Sequence, residues 1–160
     1  MKSINNLLIE PTHKTPRIDL NHLNGEILLR GISIPENAAK VYEPVLNWVK
    51  DYILNARPVT NLRLNLDYFN TSTSIWISKI IKVLTSVSKP DYLVMVHLYI
   101  PLEEYDNLKE LDDLSDLFYP VRNVFNTKSS CVGLKLHATD DNSEVVKDAL
   151  LLMQADKLTE

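Results

Sequence analysis

Asn61-Leu62-Arg63-Leu64-Asn65-Leu66-Asp67-Tyr68-Phe69-Asn70-Thr71-Ser72-Thr73-Ser74 decides the fold class. Leu62, Leu64, Leu66 and Tyr68 alternate with Asn61, Arg63, Asn65 and Asp67, the period of a half-buried strand. Beyond the hydroxyl-rich turn, Ile77, Ile80, Ile81, Leu84 and Val87 recur at helical spacing, while Ser78, Lys79, Lys82 and Ser86 lie off that stripe. A strand therefore passes into a helix at Asn70-Thr71-Ser72. A central strand covered on both sides would be apolar nearly throughout. The polar alternates predict a sheet with helices mainly on one face.

Upstream, Ile18-Asp19-Leu20 and Ile27-Leu28-Leu29 flank Asn24-Gly25 and read as a β-hairpin. Ala38, Val41, Tyr42, Val45, Val49, Tyr52 and Ile53 then predict a helix from about Pro35 to Leu54, with Pro35 as a first-turn proline. Pro44 has no amide proton for the Lys40 carbonyl, so a kink or break is expected there. Downstream, Tyr92 to Tyr99 reads as a core strand, and Leu108, Leu111, Leu114, Leu117 and Phe118 as an acidic amphipathic helix ending near Pro120. Val121 to Phe125 is a short candidate strand. Val132, Leu134 and Leu136 alternate as another, and Val145, Val146, Ala149, Leu150 and Met153 predict a closing helix. The order is approximately ββαβαβαββα, and one α/β domain accounts for it.

Composition narrows function. A chain of 160 residues, 45% apolar and 24% charged, suits a single core. Its net charge of -4 and scattered Lys and Arg argue against nucleic-acid binding. The lone cysteine, Cys131, gives no disulfide framework and fits a reducing compartment, where a buried small hydrophobe is its simplest role. Met1 to His13 lacks a signal peptide's long apolar region and cleavage site, and no stretch offers the roughly 20 apolar residues of a membrane span. A cytoplasmic protein without membrane contact is expected.

Catalytic motifs are missing. Gly25, Gly31 and Gly133 are too far apart to cradle a phosphate, and His13, His22, His97 and His137 show no metal-ligand spacing. His97 reads as a core or surface histidine with one hydrogen-bond partner. No nucleophile elbow is present. We expect no enzyme activity, no cofactor and no metal. The acidic run Glu103, Glu104, Asp106, Glu110, Asp112, Asp113 and Asp116 is either a solvated face or a docking surface for a basic partner.

The hydroxyl cluster at Thr71, Ser72, Thr73 and Ser74 admits two readings. An N-cap oxygen satisfies orphaned helix amides and contributes about 1 kcal/mol, which explains one such residue. Alternatively a phosphate there would face the helix dipole's positive end and add about -1.5 to -2 charges to the surface. The competing possibility is a small anion- or ligand-binding α/β domain that uses the loop and helix start at Asn70–Ser74. Trp76, if exposed, is a candidate interface anchor, and otherwise core.

Several segments resemble the SiaC-type bacterial regulatory phosphoproteins, a branch of the STAS-like, anti-sigma-factor-antagonist fold. They are Thr15-Pro16-Arg17-Ile18; Gly31-Ile32-Ser33-Ile34-Pro35-Glu36-Asn37; Tyr42, Pro44 and Trp48; and Leu66-Asp67-Tyr68-Phe69-Asn70-Thr71-Ser72. The resemblance implies a single STAS-like α/β domain with a mixed β-sheet over residues 15–125. An N-terminal extension, 1–14, would precede it, and a C-terminal extension of strand plus helix, 126–160, would pack on the same domain. It also implies that a partner kinase phosphorylates Thr71, that a PP2C-type phosphatase reverses this, and that the switch controls a target such as a diguanylate cyclase, in cyclic-di-GMP signalling and biofilm behaviour. Pro35, Glu36, Asn37, Tyr68, Asn70, Ser72 and Thr73 are the implied partner-binding residues. Thr73, Ser74, Ile75 and Trp76 depart from the family's usual further serines and lysine.

Overall fold

Residues 3–125 and 132–154 are described in the computed structural model. Strands β1 (Leu7–Ile9), β2 (Arg17–Asn21), β3 (Glu26–Ser33), β4 (Val59–Phe69), β5 (Leu93–Pro101), β6 (Val132–Thr139) and β7 (Val145–Gln154) form one sheet in that spatial order. Pairing is antiparallel within β1–β3 and between β6 and β7, and parallel from β3 through β6. The helices are α1 (Ala38–Tyr52), α2 (Thr71–Leu84), α3 (Leu102–Asn107), α4 (Leu111–Leu117) and α5 (Val121–Phe125). Each parallel strand is added on the same side of its predecessor, so right-handed crossovers carry the connecting helices over one face. Accordingly α1 packs on α2, α2 on α5 and α5 on α4.

The core lies between that helical layer and the sheet. Ile27 and Leu29 of β3, Leu62 and Leu64 of β4, and Val94, Val96 and Leu98 of β5 point into it and are buried. Ile77, Ile80, Ile81 and Leu84 of α2 meet them with no exposed surface. Burying each such side chain contributes roughly 1.5–3 kcal/mol. Trp48 stacks on Tyr52 with ring centroids 5.2 Å apart, and its indole Nε1–H donates to the Asn5 carbonyl at 2.7 Å, tying the N-terminal segment to α1.

Local structure departs from the sequence expectations in several places. The helix expected from Pro35 begins at Ala38 with Asn37 as N-cap, so Pro35 lies ahead of the first turn, and Pro44 neither breaks nor ends the 15-residue helix. Pro44 is exposed there, and the bond it cannot make is lost on the face open to water. The acidic segment forms two short helices, α3 and α4, separated by Leu108–Glu110. Val121–Phe125 is helical, not a strand. The closing segment is a strand, β7, not a helix, and pairs antiparallel with β6. Val146 and Leu150 share the helical spacing that suggested otherwise, yet Leu134 and Leu136 beside them supply a ladder that a strand completes. Leu7–Ile9, within the expected N-terminal extension, adds an edge strand. Cys131 lies outside the described residues.

One irregularity shapes the site. β3 and β4 stay in register to Gly31↔Leu66, but the next pair is Ile32↔Tyr68, so Asp67 is bulged and has no residue opposite it. Gly31 permits this with φ 113°, a left-handed conformation that side chains disfavour. The bulge reverses the alternation. Tyr68, grouped with the buried leucines by its spacing, turns outward and is 69% exposed. Phe69 takes the inward position and packs edge-on against Phe118 at 5.0 Å.

Candidate functional site

The C-terminal ends of β3, β4 and β5 lead directly into α1, α2 and α3. Their helix N-termini therefore gather at one end of the sheet, which brings together residues 35–37, 68–73 and 101–104. Direct bonds join the first two groups. The Asn70 amide donates to the Ser33 carbonyl at 3.1 Å, and the Asn70 side-chain amide reaches the Pro35 carbonyl at 3.5 Å.

Asn70 caps α2 in an extended conformation, its Oδ1 accepting from the Thr73 amide at 3.0 Å. The same oxygen accepts from the Ser72 hydroxyl at 2.9 Å and lies 3.0 Å from Thr73 Oγ1. Thr73 is fully buried. Its Oγ1 is 2.9 Å from the Ser33 carbonyl and 2.7 Å from Ser33 Oγ, which in turn meets the Tyr42 hydroxyl. Burial pushes the Tyr42 phenol up, so it stays protonated within this hydroxyl chain. Strand β3, helix α1 and the first turn of α2 are thus locked through three hydroxyls.

The four hydroxyls of the turn now separate by environment. Thr73 and Ser74 are buried, and Ser72 is half-buried and bonded to the cap. Thr71 is exposed, and among the described residues its hydroxyl has no hydrogen-bond partner. It is the first residue of the 14-residue helix α2, beside the amides that the α-helical ladder leaves unpaired. No carboxylate occupies the first turn, so the positive end of the dipole is not neutralised from within the helix.

The remaining candidates surround this turn. Asn37 caps α1 by accepting from the Lys40 amide at 3.2 Å. Glu36 is exposed and ion-paired to Lys14 at 2.7 Å, and that hydrogen bond and charge hold its carboxyl below the usual range. Pro35 is buried beneath them. Trp76 is partly buried against the core and carries Lys79 Nζ 4.4 Å from its ring centroid. Ser33 and Tyr42 lay within the quoted motifs, but sequence spacing gave no sign that they would meet Thr73.

A second polar cluster occupies the sheet face away from the helices. Glu26 accepts from Arg63 Nε at 2.6 Å and from the Asn61 side-chain amide at 2.8 Å. Asn61 Oδ1 then faces His97 Nε2 at 2.8 Å, and His97 Nδ1 faces His137 Nε2 at 2.9 Å. The Asn61 amide orientation set by Glu26 makes His97 a donor from Nε2 and an acceptor at Nδ1. His97 therefore has two partners, not one. It is 6% exposed, and burial, followed by the charges of Arg63, His137 and Lys135, pushes its pKa down to about 3. His137 is shifted down as well, first by burial and then by Lys135. Alternation along both strands places these residues off the core phase, a signal that the one-partner expectation did not use. Among the described residues, no three His, Cys, Asp or Glu side chains converge as metal ligands would.

The family model described as SiaC family regulatory phosphoprotein matches residues 9–131. The chain belongs to the SiaC family. An uncharacterized protein of Pseudomonas aeruginosa strain UCBPP-PA14 is 31% identical over 70 residues, a match that spans 44% of this chain and 56% of that relative. The crystal structure of apo-SiaC from Pseudomonas aeruginosa aligns with TM-score 0.59 and 23% identity, covering 74% of this chain and 91% of that one. A chain in the crystal structure of the diguanylate cyclase SiaD with its activator SiaC aligns with TM-score 0.64 and 21% identity, covering 82% and 99% respectively. These likenesses show a common SiaC fold. The SiaC match ends before β6, so β6 and β7 both lie outside the matched residues. No helix among the described residues is long and apolar enough to cross a membrane.

Proposed function

We propose that this SiaC-family protein is a signalling adaptor without an active site, switched by reversible phosphorylation of Thr71. A partner kinase adds the phosphate, a PP2C-type phosphatase removes it, and the modification controls binding to a target such as a diguanylate cyclase. One observation carries this reading: of the hydroxyls in the turn, that of Thr71 is exposed, without a partner among the described residues, and next to helix amides that the ladder leaves unpaired. A phosphate there gains favourable interaction with the dipole and the amides without disturbing the buried hydroxyl chain. The partner surface comprises exposed Tyr68, Glu36 and Asn37, with Asn70 and Ser72 at its centre. Pro35 and Thr73 lie beneath and hold it in shape.

The test is incubation with the cognate kinase and ATP, followed by intact-mass analysis and peptide mapping. One phosphate is expected on the unaltered chain and none on Thr71→Ala. Phosphorylation that persists in Thr71→Ala overturns the assignment. The competing reading, a small-anion site at Asn70–Ser74, predicts saturable binding of inorganic phosphate that survives Thr71→Ala.

A further inference from the structure

Close to Thr71 the sheet divides. Pairing between β4 and β5 ends at Leu64↔Leu98, yet β4 continues to Phe69 beside β3, and β5 continues to Pro101 beside β6. The two strands diverge at their C-terminal ends, the end of an open α/β sheet where ligands collect. A cavity of about 180 Å³ fills the gap, with Leu66, Ile100, Leu117 and Phe118 in its apolar lining. Sites for drug-sized molecules measure about 300–1,000 Å³. This one is nearer the size of a single inserted side chain, the kind of anchor on which protein interfaces depend.

Its rim is acidic. Asp67, thrown outward by the bulge, and Glu104, on the first turn of α3, both line the opening and are exposed. Neither has a cationic partner among the described residues. Neighbouring Asp106 is held by Lys147 at 3.0 Å, and Asp113 by the backbone of its own helix start. Two unneutralised carboxylates repel a phosphate or an acidic segment and attract a basic one.

We propose that this crevice is the docking pocket for a short segment of a partner protein that presents one large apolar side chain flanked by Lys or Arg. The apolar side chain enters between β4 and β5, and the flanking cations meet Asp67 and Glu104. The inference rests on reading this end of the sheet as the partner surface, and it adds what that partner must carry.

A fluorescein-labelled hexapeptide of sequence Lys-Lys-Leu-Phe-Lys-Lys, titrated with the full chain by fluorescence polarisation, tests it. Saturable binding is expected, with at least tenfold weakening when Ser-Ser replaces Leu-Phe or Glu replaces the lysines. Asp67→Lys with Glu104→Lys weakens binding at least tenfold, whereas Glu43→Lys with Asp91→Lys, an equal charge change elsewhere, leaves it within twofold. Indifference to the rim reversal, or equal loss from the control reversal, overturns the pocket. Kinase labelling of the same variants separates the two readings. Thr71 phosphorylated on a chain whose peptide binding ignores Asp67 and Glu104 sinks the pocket alone. Peptide binding that depends on those residues in a chain not phosphorylated at Thr71 sinks the switch alone.

Discussion

Replacing Thr73 and Thr71 in turn by valine separates the residue that builds the site from the residue proposed to be modified. Valine keeps the volume and branching of threonine and removes the hydroxyl. At position 73 the loss removes two buried hydrogen bonds, from Oγ1 to Ser33 Oγ at 2.7 Å and to the Ser33 carbonyl at 2.9 Å, and leaves Ser33 with the Tyr42 hydroxyl and the Asn70 amide as its remaining partners. Each such bond contributes about 0.5–1.5 kcal/mol net, so losing two costs about 1–3 kcal/mol. With a urea slope of about 1–3 kcal/mol per molar for a domain of this size, a 2 kcal/mol loss moves the midpoint down by about 1 M. At position 71 no bond is lost, and the change should stay within about 0.5 kcal/mol. Urea titration followed by the fluorescence of Trp48 and Trp76 reads both. Charge sharpens the contrast: Thr71→Glu places a carboxylate at the helix N-terminus and should stabilise by about 0.3–1 kcal/mol, whereas Thr73→Glu buries one and should unfold the domain. Equal midpoints for Thr71→Val and Thr73→Val would refute this division of roles.

Other perturbations probe neighbouring parts of the argument. Asn70→Ala removes the cap that serves the Thr73 amide and the Ser72 hydroxyl and should cost about 1–2 kcal/mol, measurable in the same titration. Gly25→Ala forces a side chain to φ 73° with its Cβ 2.5 Å from the Val59 carbonyl oxygen, and a loss of at least about 1–3 kcal/mol is expected from calorimetry. His97 is neutral in the folded state down to about pH 3 and titrates near 6.5 when unfolded. Between those values the unfolded chain binds the extra proton, so stability is full above pH 6.5 and falls as the pH drops. From pH 7 to 5 the loss should reach about 1–2 kcal/mol, allowing for some solvent screening, and His97→Gln should flatten that slope.

Period-two leucines before Asn70 and a helical isoleucine stripe after Thr73 made the β4–α2 unit legible, because both patterns arise from one-sided burial. The polar alternates of β4 also announced a face without helices, where Asn61 and Arg63 now sit. What failed were elements whose conformation depends on neighbours distant in sequence. The apolar spacing from Val145 to Met153 fits a helix or an outward-leaning strand, and only the free edge of β6 decides between them. Val121–Phe125 is too short for its own pattern to distinguish strand from helix. Tyr68 was misplaced for another reason: a single bulged residue inverts every later side chain, and the alternation carries no mark of it until Gly31 is seen opposite.

The candidate site was half legible for a related reason. Hydroxyls at a helix start could be named from the sequence, but which one is free depends on Ser33 and Tyr42, 40 and 31 residues before Thr73. The segments shared with the SiaC family are accounted for in this light: Gly31 admits the bulge, Ser33 and Tyr42 form the buried hydroxyl chain, Asn70 caps the helix, and Trp48 anchors the N-terminal segment. Nearly all of these residues hold Thr71 in place, and none of them contacts its hydroxyl. Such a scaffold constrains the position of the residue proposed to be modified more tightly than it constrains the surface proposed to read it. Tyr68, Asp67 and Glu104 are exposed and take no part in the buried hydroxyl chain. A substitution at Ser33 or Tyr42 should therefore lower stability and kinase labelling together, whereas one at Asp67 should change partner binding and leave both intact.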